Sequence, residues 1–383
     1  MVLALMVGAP TATAFPTQTA PGGVAWEQFV HIPAVLDVAG PRGDGRLVVA
    51  AHGRLLLMDS SGRTAEFAPG YSVSDGPEPY LALSPGVPVD GAGCAFERDD
   101  VFALDLHDPA RGITRITGDG TVSHLANVGG VTNLVGIALD TVGRFGHRLL
   151  VIGPTEQGTT AVAAVDCRGT VTAIGTVDAS LEGGIAVAPA TFGPFGGQLI
   201  AADEKGGTIY AVSPAGELST VAASGLPAGP DIGVESVGFV PDAGADAAFL
   251  ADRGGHAAPP AGTDSLLRLT SASLATAGTR PGDLLVATEG GASVVRVRCA
   301  PQCVVDLVAN GPPTAHAEGR LLVVSGAGFR DVAPVATSGA TPAATSSSHG
   351  TGGRGPLVAI VVAAVMIAGI ALVVLLRARR TRQ

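Results

Sequence analysis

Short apolar runs rich in Val, Ile, Leu and Ala recur along the chain, separated by Gly- and Asp-rich turns, and the period that fits them is that of strands and not of helices. In "TFGPFGGQLIAADEKGGTIYAVSPAGELSTVA", Thr191 to Ala222, the pattern predicts strands at Gln198 to Ala202 and Thr208 to Val212, with Gly206-Gly207 turning the chain between them. The glycines around Asp203 and Glu204 superficially suggest a phosphate loop. Such a loop needs Gly-Lys-Ser/Thr leading into a helix. Here Lys205 is followed by two glycines and a strand, so the segment reads as scaffold.

The same order of parts returns elsewhere. "GRFGHRLLVIGPTEQGTTAVAAVDCRGTVTAIG" (Gly143 to Gly175) and "RPGDLLVATEGGASVVRVRC" (Arg280 to Cys299) repeat it, with Glu289 to Gly291 matching Glu204 to Gly206. "AGADAAFLADRGG" (Ala243 to Gly255) is a more diverged copy, Asp252 taking the place of Asp203. Preserved copies follow a further strand: "NLVGIALD" from Asn133, "LEGGIAVAP" from Leu181, "VESVGFVP" from Val234. The unit is four strands in roughly 48 to 52 residues, the length of a propeller blade. Two earlier copies hold Gly45 to Gly70 and Pro79 to Val128; with blades beginning near Asn133, Leu181, Val234 and Leu274, the total is six. The expected fold is all-β, a six-bladed β-propeller over residues 26–326. Either "WEQFVHIPAV" (Trp26 to Val35) or "EGRLLVVSG" (Glu318 to Gly326) could supply the strand that closes the ring.

One segment departs from this pattern. "PLVAIVVAAVMIAGIALVVLL", residues 356–376, carries no charge over about the 20 residues that cross a bilayer, and predicts a C-terminal transmembrane helix. Arg377, Arg379, Arg380 and Arg382 follow in a basic tail, 377–383, which places the C-terminus in the cytoplasm and the blades outside. Residues 332–355, rich in Ser, Thr, Ala, Gly and Pro, read as a disordered stalk. Residues 1–14 end in Ala12-Thr13-Ala14, a cleavage pattern of a signal peptide whose basic n-region is missing.

An exterior location suits the four cysteines. Cys299 and Cys303 flank a three-residue turn and are within disulfide reach, whereas metal binding by the pair would need two further ligands at zinc-type spacing. Cys94 and Cys167 fall in neighbouring blades and are a second candidate pair. The net charge of −10, from 33 acidic and 23 basic residues, becomes more negative still without the tail, which excludes a basic nucleic-acid surface.

The strand patterns "GIALD", "GGIAVAP", "GGQLIAADEKGGTIYAVSPAGELSTVA" and "GDLLVATEGGASVVRV" resemble six-bladed propellers of the NHL-repeat and regucalcin/gluconolactonase type. The resemblance runs from about Trp26 to Gly326. It implies a divalent cation at the mouth of the central channel, held by Glu, Asn and Asp side chains from the approaches to the innermost strands. The candidates here are Glu78, Asn133, Glu182 and Glu235, each preceding a first strand, and their oxygens suit a hard cation such as Ca²⁺. The Glu-Gly-Pro approach and Asn-Gly pattern of the lactonase branch are absent. The eight histidines form no His-x-His or His-x-x-x-His pair, and no Gly-x-Ser-x-Gly elbow is present, so no catalytic residue is assigned. The sequence therefore reads as a single-pass plasma-membrane protein presenting a propeller outside the cell. Its expected role is a non-catalytic recognition module for a protein or glycan that needs no cofactor, since polar residues fill a wet central channel in any case; the competing reading, with Ca²⁺ or a like ion bound, is a cation-dependent lactonase or esterase using the channel-mouth carboxylates.

Overall fold

The computed structural model describes residues 24–73, 78–106, 111–255, 259–325 and 329 of the 383-residue chain. The expected signal peptide, stalk, transmembrane helix and basic tail lie outside the described residues. Among the described residues no helix is long and apolar enough to cross a membrane.

Strand β1 (Glu27–His31) precedes the first blade and pairs with a strand from near the C-terminal end of the described chain. Blade 1 is β2 (Val35–Ala39), β3 (Leu47–Ala51), β4 (Arg54–Met58) and β5 (Thr64–Phe67). Blade 2 takes β6 (Leu81–Leu83), β9 (Val101–Asp105), β10 (Gly112–Ile116) and β11 (Val122–Asn127), with a hairpin of β7 (Val87–Val89) and β8 (Cys94–Phe96) inserted after β6. Blade 3 is β12 (Gly136–Leu139), β13 (Leu149–Pro154), β14 (Thr160–Val165) and β15 (Val171–Val177). Blade 4 is β16 (Leu181–Val187), β17 (Leu199–Asp203), β18 (Thr208–Val212) and β19 (Leu218–Ala223). The segment that suggested a phosphate loop thus forms the last three strands of blade 4.

The last two blades are interleaved. From β20 (Val234–Phe239), the inner strand of blade 5, the chain crosses to blade 6 for β21 (Ala247–Asp252) and β22 (Ser265–Thr270). Helix α1 (Ser271–Thr276), capped by the Thr270 hydroxyl on the Ser273 amide, carries it back. Blade 5 is then completed by β23 (Leu284–Thr288), β24 (Val294–Cys299) and β25 (Cys303–Ala309), and blade 6 by the inner strand β26 (Ala317–Val324), with β1 on its outer edge. The expected start of a sixth blade near Leu274 is therefore corrected: Leu274 lies in α1, and Arg280 to Cys299 belongs with the strand from Val234. A contiguous reading assigned these strands wrongly because the inserted hairpin carries the same apolar pattern as the strands it displaces. Both candidate closing segments are used, on opposite edges of one blade.

Blades cover each other on both faces, so middle strands are buried throughout, as in β3, β21 and β23, and lack the alternation of a half-wet sheet. Outer strands such as β5 and β15 are mostly exposed. Between blades 2 and 3 the apolar layer includes Phe96, Phe102, Ile137 and Val151, each buried side chain contributing about 1.5–3 kcal/mol.

On the axis the packing is polar. The fully buried Asp37 of β2 accepts hydrogen bonds from the backbone N–H groups of Val38 (2.8 Å), Leu81 (2.7 Å) and Arg320 (2.9 Å), which tie blade 1 to blades 2 and 6. Arg320 reaches across the axis and donates from its guanidinium to the Ile137 carbonyl of blade 3 at 2.9 Å. Burial pushes the Asp37 carboxyl up to about 6, against the opposing pull of Arg320 and the three amides, so it is ionised at neutral pH.

Two disulfides are formed as expected, Cys94–Cys167 and Cys299–Cys303. The first links the inserted hairpin of blade 2 to blade 3 across 73 residues; the second spans 4 residues within one blade. On loop-entropy grounds, removing Cys94–Cys167 by a double Ser substitution should cost about 4 kcal/mol, and removing Cys299–Cys303 about 2 kcal/mol. Urea unfolding of the two double variants should show this order; equal losses would contradict it.

Candidate functional site

The inner strands of blades 4, 5 and 6 each carry Glu as their second residue: Glu182, Glu235 and Glu318. The three corresponding pairings, of β16 with β17, β20 with β23 and β26 with β21, have register shifts beside these positions. Such bulges re-aim side chains at the rim of a sheet. The residue after the second strand of each blade forms a companion set, Glu204 after β17, Glu289 after β23 and Arg253 after β21. Glu78 joins them from the approach to blade 2.

These groups meet in a cavity of about 120 Å³ lined by Glu78, Glu182, Glu204, Asp231, Glu235, Glu289, His316 and Glu318. Three of the four residues expected at the channel mouth, Glu78, Glu182 and Glu235, thus face one space. Asn133 is exposed and is not among the lining residues. In β12 the pairing with β13 runs without a shift and begins at Gly136, opposite Ile152, so Asn133 falls three residues short of the strand. Glu204, Asp231, Glu289, His316 and Glu318 were not expected there. The repeat itself held a clue to two of them, since Glu204 and Glu289 occupy matching positions.

At the centre stands Tyr80. Its hydroxyl oxygen lies 2.7 Å from Glu235 Oε1, 3.1 Å from Glu318 Oε2 and 3.2 Å from Glu78 Oε2. A phenol has one proton to donate. With three carboxylates around one hydroxyl, the remaining short contacts require protons on the carboxyl groups or a cation between them. Arg253 is the cationic side chain in direct contact, donating from one nitrogen to Glu78 Oε1 at 2.8 Å and Glu318 Oε1 at 3.3 Å. His316 Nε2 sits 3.2 Å from both Glu289 Oε1 and Glu318 Oε1.

Burial first, and the neighbouring carboxylates second, raise the proton affinity of the cluster. Glu78 is pushed up to about 8 by burial and by Glu318, and Glu289 to about 10 by burial, Glu318 and Glu204. Glu235, 3% exposed, is raised well above its ordinary value by burial and by Glu318 and Glu289, and Glu182 is raised by burial and by Glu204. Its Oε1 engaged with Tyr80, Glu235 keeps a buried Oε2 with no hydrogen-bond partner, and Glu204 Oε1 is in the same position. Buried acceptors of this kind are costly unless something meets them. A larger cleft of about 360 Å³ beside blade 3, lined by Val128, Leu134, Val151 and Val162 among others, offers no titratable side chain.

The sequence matches no family model and no curated protein. Among solved structures the chain is similar to virginiamycin B lyase from Staphylococcus aureus (10% identity, 72% of each chain, TM-score 0.42). It is also similar to regucalcin, a calcium-binding protein from Agrobacterium tumefaciens (14% identity, 79% of this chain and 86% of that one, TM-score 0.42). A gluconolactonase from Xanthomonas campestris matches at 14% identity over 60% of this chain and 69% of that one, with a TM-score of 0.35. At these values the likeness adds nothing to the architecture that the strand order already shows.

Two outcomes follow from the geometry. Carboxyls with raised pKa bind protons more tightly in the folded than in the unfolded chain, so their stabilisation is complete below about 4.5 and is lost as pH rises through the folded values. In chelator, the unfolding free energy should therefore fall between about pH 5 and pH 10, and Glu78→Gln should flatten the part of the slope below about pH 8; a pH-independent value would refute the assignment. Gly183, at φ +75°, is a position where an added Cβ would lie 2.2 Å from Glu235 Cγ. Gly183→Ala should cost at least about 2 kcal/mol in urea unfolding, and a neutral result would show that the cluster is not packed as described.

Proposed function

We propose that this propeller binds a divalent cation at its channel mouth and works as a membrane-anchored, extracellular recognition module whose ligand is a protein or glycan. The observation that carries the cation is the set of seven carboxylates around about 120 Å³, two of them with buried, unpartnered oxygens. The cavity suits an ion and a few waters, well below the several hundred Å³ of a typical small-molecule site. This favours a bound ion over the turnover of a lactone, the competing reading, which draws on the same carboxylates. Anchoring and outward presentation are supported by the uncharged run at 356–376, its basic flank, and the two disulfides.

A ligand that binds only the folded state stabilises it by mass action, by about 2.7 kcal/mol at one hundred times its Kd. Thermal unfolding in chelator, then with Ca²⁺, Mg²⁺, Mn²⁺ or Zn²⁺ added separately, should show a rise of several degrees for at least one ion, reduced in Glu182→Gln and in Glu235→Gln. The absence of any shift in wild type would refute the cation, and cation-dependent hydrolysis of a small lactone would move the protein to the enzyme reading.

A further inference from the structure

The donor set at the channel mouth is not made of oxygen alone. His316, Glu289 and Glu318 each offer one ligand atom, and these atoms all lie within 4.8 Å of one another; His316 Nε2 is 3.2 Å from Glu289 Oε1 and from Glu318 Oε1. We propose that the resident cation is a borderline first-row ion of the Mn²⁺, Co²⁺ or Zn²⁺ class, held by His316, Glu289 and Glu318. This rests on the cation-binding reading above and goes further in fixing the class of ion and its ligands.

Three observations support it. An ion about 2.1 Å from its ligands separates neighbouring donors by roughly 3.0 to 3.4 Å, which the two 3.2 Å spacings match. Imidazole nitrogen is a donor that zinc and its neighbours accept readily, whereas Ca²⁺ and Mg²⁺ prefer oxygen. The buried Glu235 Oε2, without a partner and at the wall of the same cavity, independently points to a ligand there.

The three donors are also held in place. The His316 amide donates to Asp252 Oδ1 at 2.8 Å, and its carbonyl accepts from the Arg253 amide at 2.8 Å. The Ala317 amide donates to the Glu289 carbonyl at 2.8 Å, which locks the turn of blade 5 to the inner strand of blade 6. Glu318 is oriented through Tyr80 and Arg253, the kind of outer support that sets ligand geometry in metal sites. The competing role for His316 is a hydrogen-bonding partner of Glu289 and Glu318, with no metal.

The test uses the full chain in detergent, stripped with chelator and titrated by calorimetry with Zn²⁺, Co²⁺, Mn²⁺, Ca²⁺ and Mg²⁺ in turn, for wild type, His316→Ala and His316→Gln. One Zn²⁺ or Co²⁺ per chain should bind at least tenfold more tightly than Ca²⁺, and both variants should lose at least tenfold in that affinity. Co²⁺ in wild type should give visible absorption bands, a readout that does not depend on how a variant folds, and variants that keep the wild-type circular dichroism should shift or lose them. Preference for Ca²⁺ or Mg²⁺, or Zn²⁺ binding indifferent to His316, would overturn this inference and leave the cation-binding reading standing. Binding of no ion at all would overturn both.

Discussion

Six inner strands converge on one axis, and what they place there must be satisfied without bulk water. Asp37 meets that constraint by accepting three backbone N–H groups from blades 1, 2 and 6, while Arg320 spans the axis to blade 3. A charged acceptor makes each such bond worth about 1.5–3 kcal/mol. Further cross-blade bonds continue the belt, Gly183 N–H to the Val135 carbonyl and the Ser236 hydroxyl to the Gly319 carbonyl. Gly319, at φ +70°, lets the chain pass where a Cβ would lie 2.5 Å from Asp37 Oδ1. The acidic cluster is carried on the same strands: Glu318 is two residues from Arg320, and Glu235 is next to Ser236.

The cluster inverts the usual economy of a protein interior. Apolar layers between blades supply the favourable burial, and the channel mouth spends part of it by crowding carboxylates that repel one another. Proton uptake relieves this, and a cation would do so in place of the protons. Arg253 shows a local compensation: the position that is Glu in blades 4 and 5 becomes Arg in blade 6, and that guanidinium bridges Glu78 and Glu318.

Much of the architecture was legible because strands buried on both faces and Gly turns repeat at a fixed spacing. The interleaving of blades 5 and 6 was not, since a hairpin on loan to its neighbour has the same pattern as one that stays at home. Glu78, Glu182 and Glu235 could be placed because each lies just before, or among the first residues of, an inner strand. Asn133 could not be separated from them, because the register shifts present in β16, β20 and β26 and missing from β12 leave no trace in composition. His316 looked isolated for a related reason: its neighbour Glu289 lies 27 residues away, and only the bridge between Gly290 and His316 brings the two together.

The interleaved chain also sets an order in time. As synthesis proceeds from the N-terminus, blades 1 to 4 each have all their strands once the fourth has emerged. Blade 5 waits for Cys303–Ala309, and blade 6 for Ala317–Val324, while β1, made first of all, waits throughout as an edge without its sheet. The last of the described strands to arrive carries Glu318 and is immediately preceded by His316. A nascent or truncated chain that stops short of it has neither a closed ring nor a complete set of donors, so ring closure and completion of the site are one event.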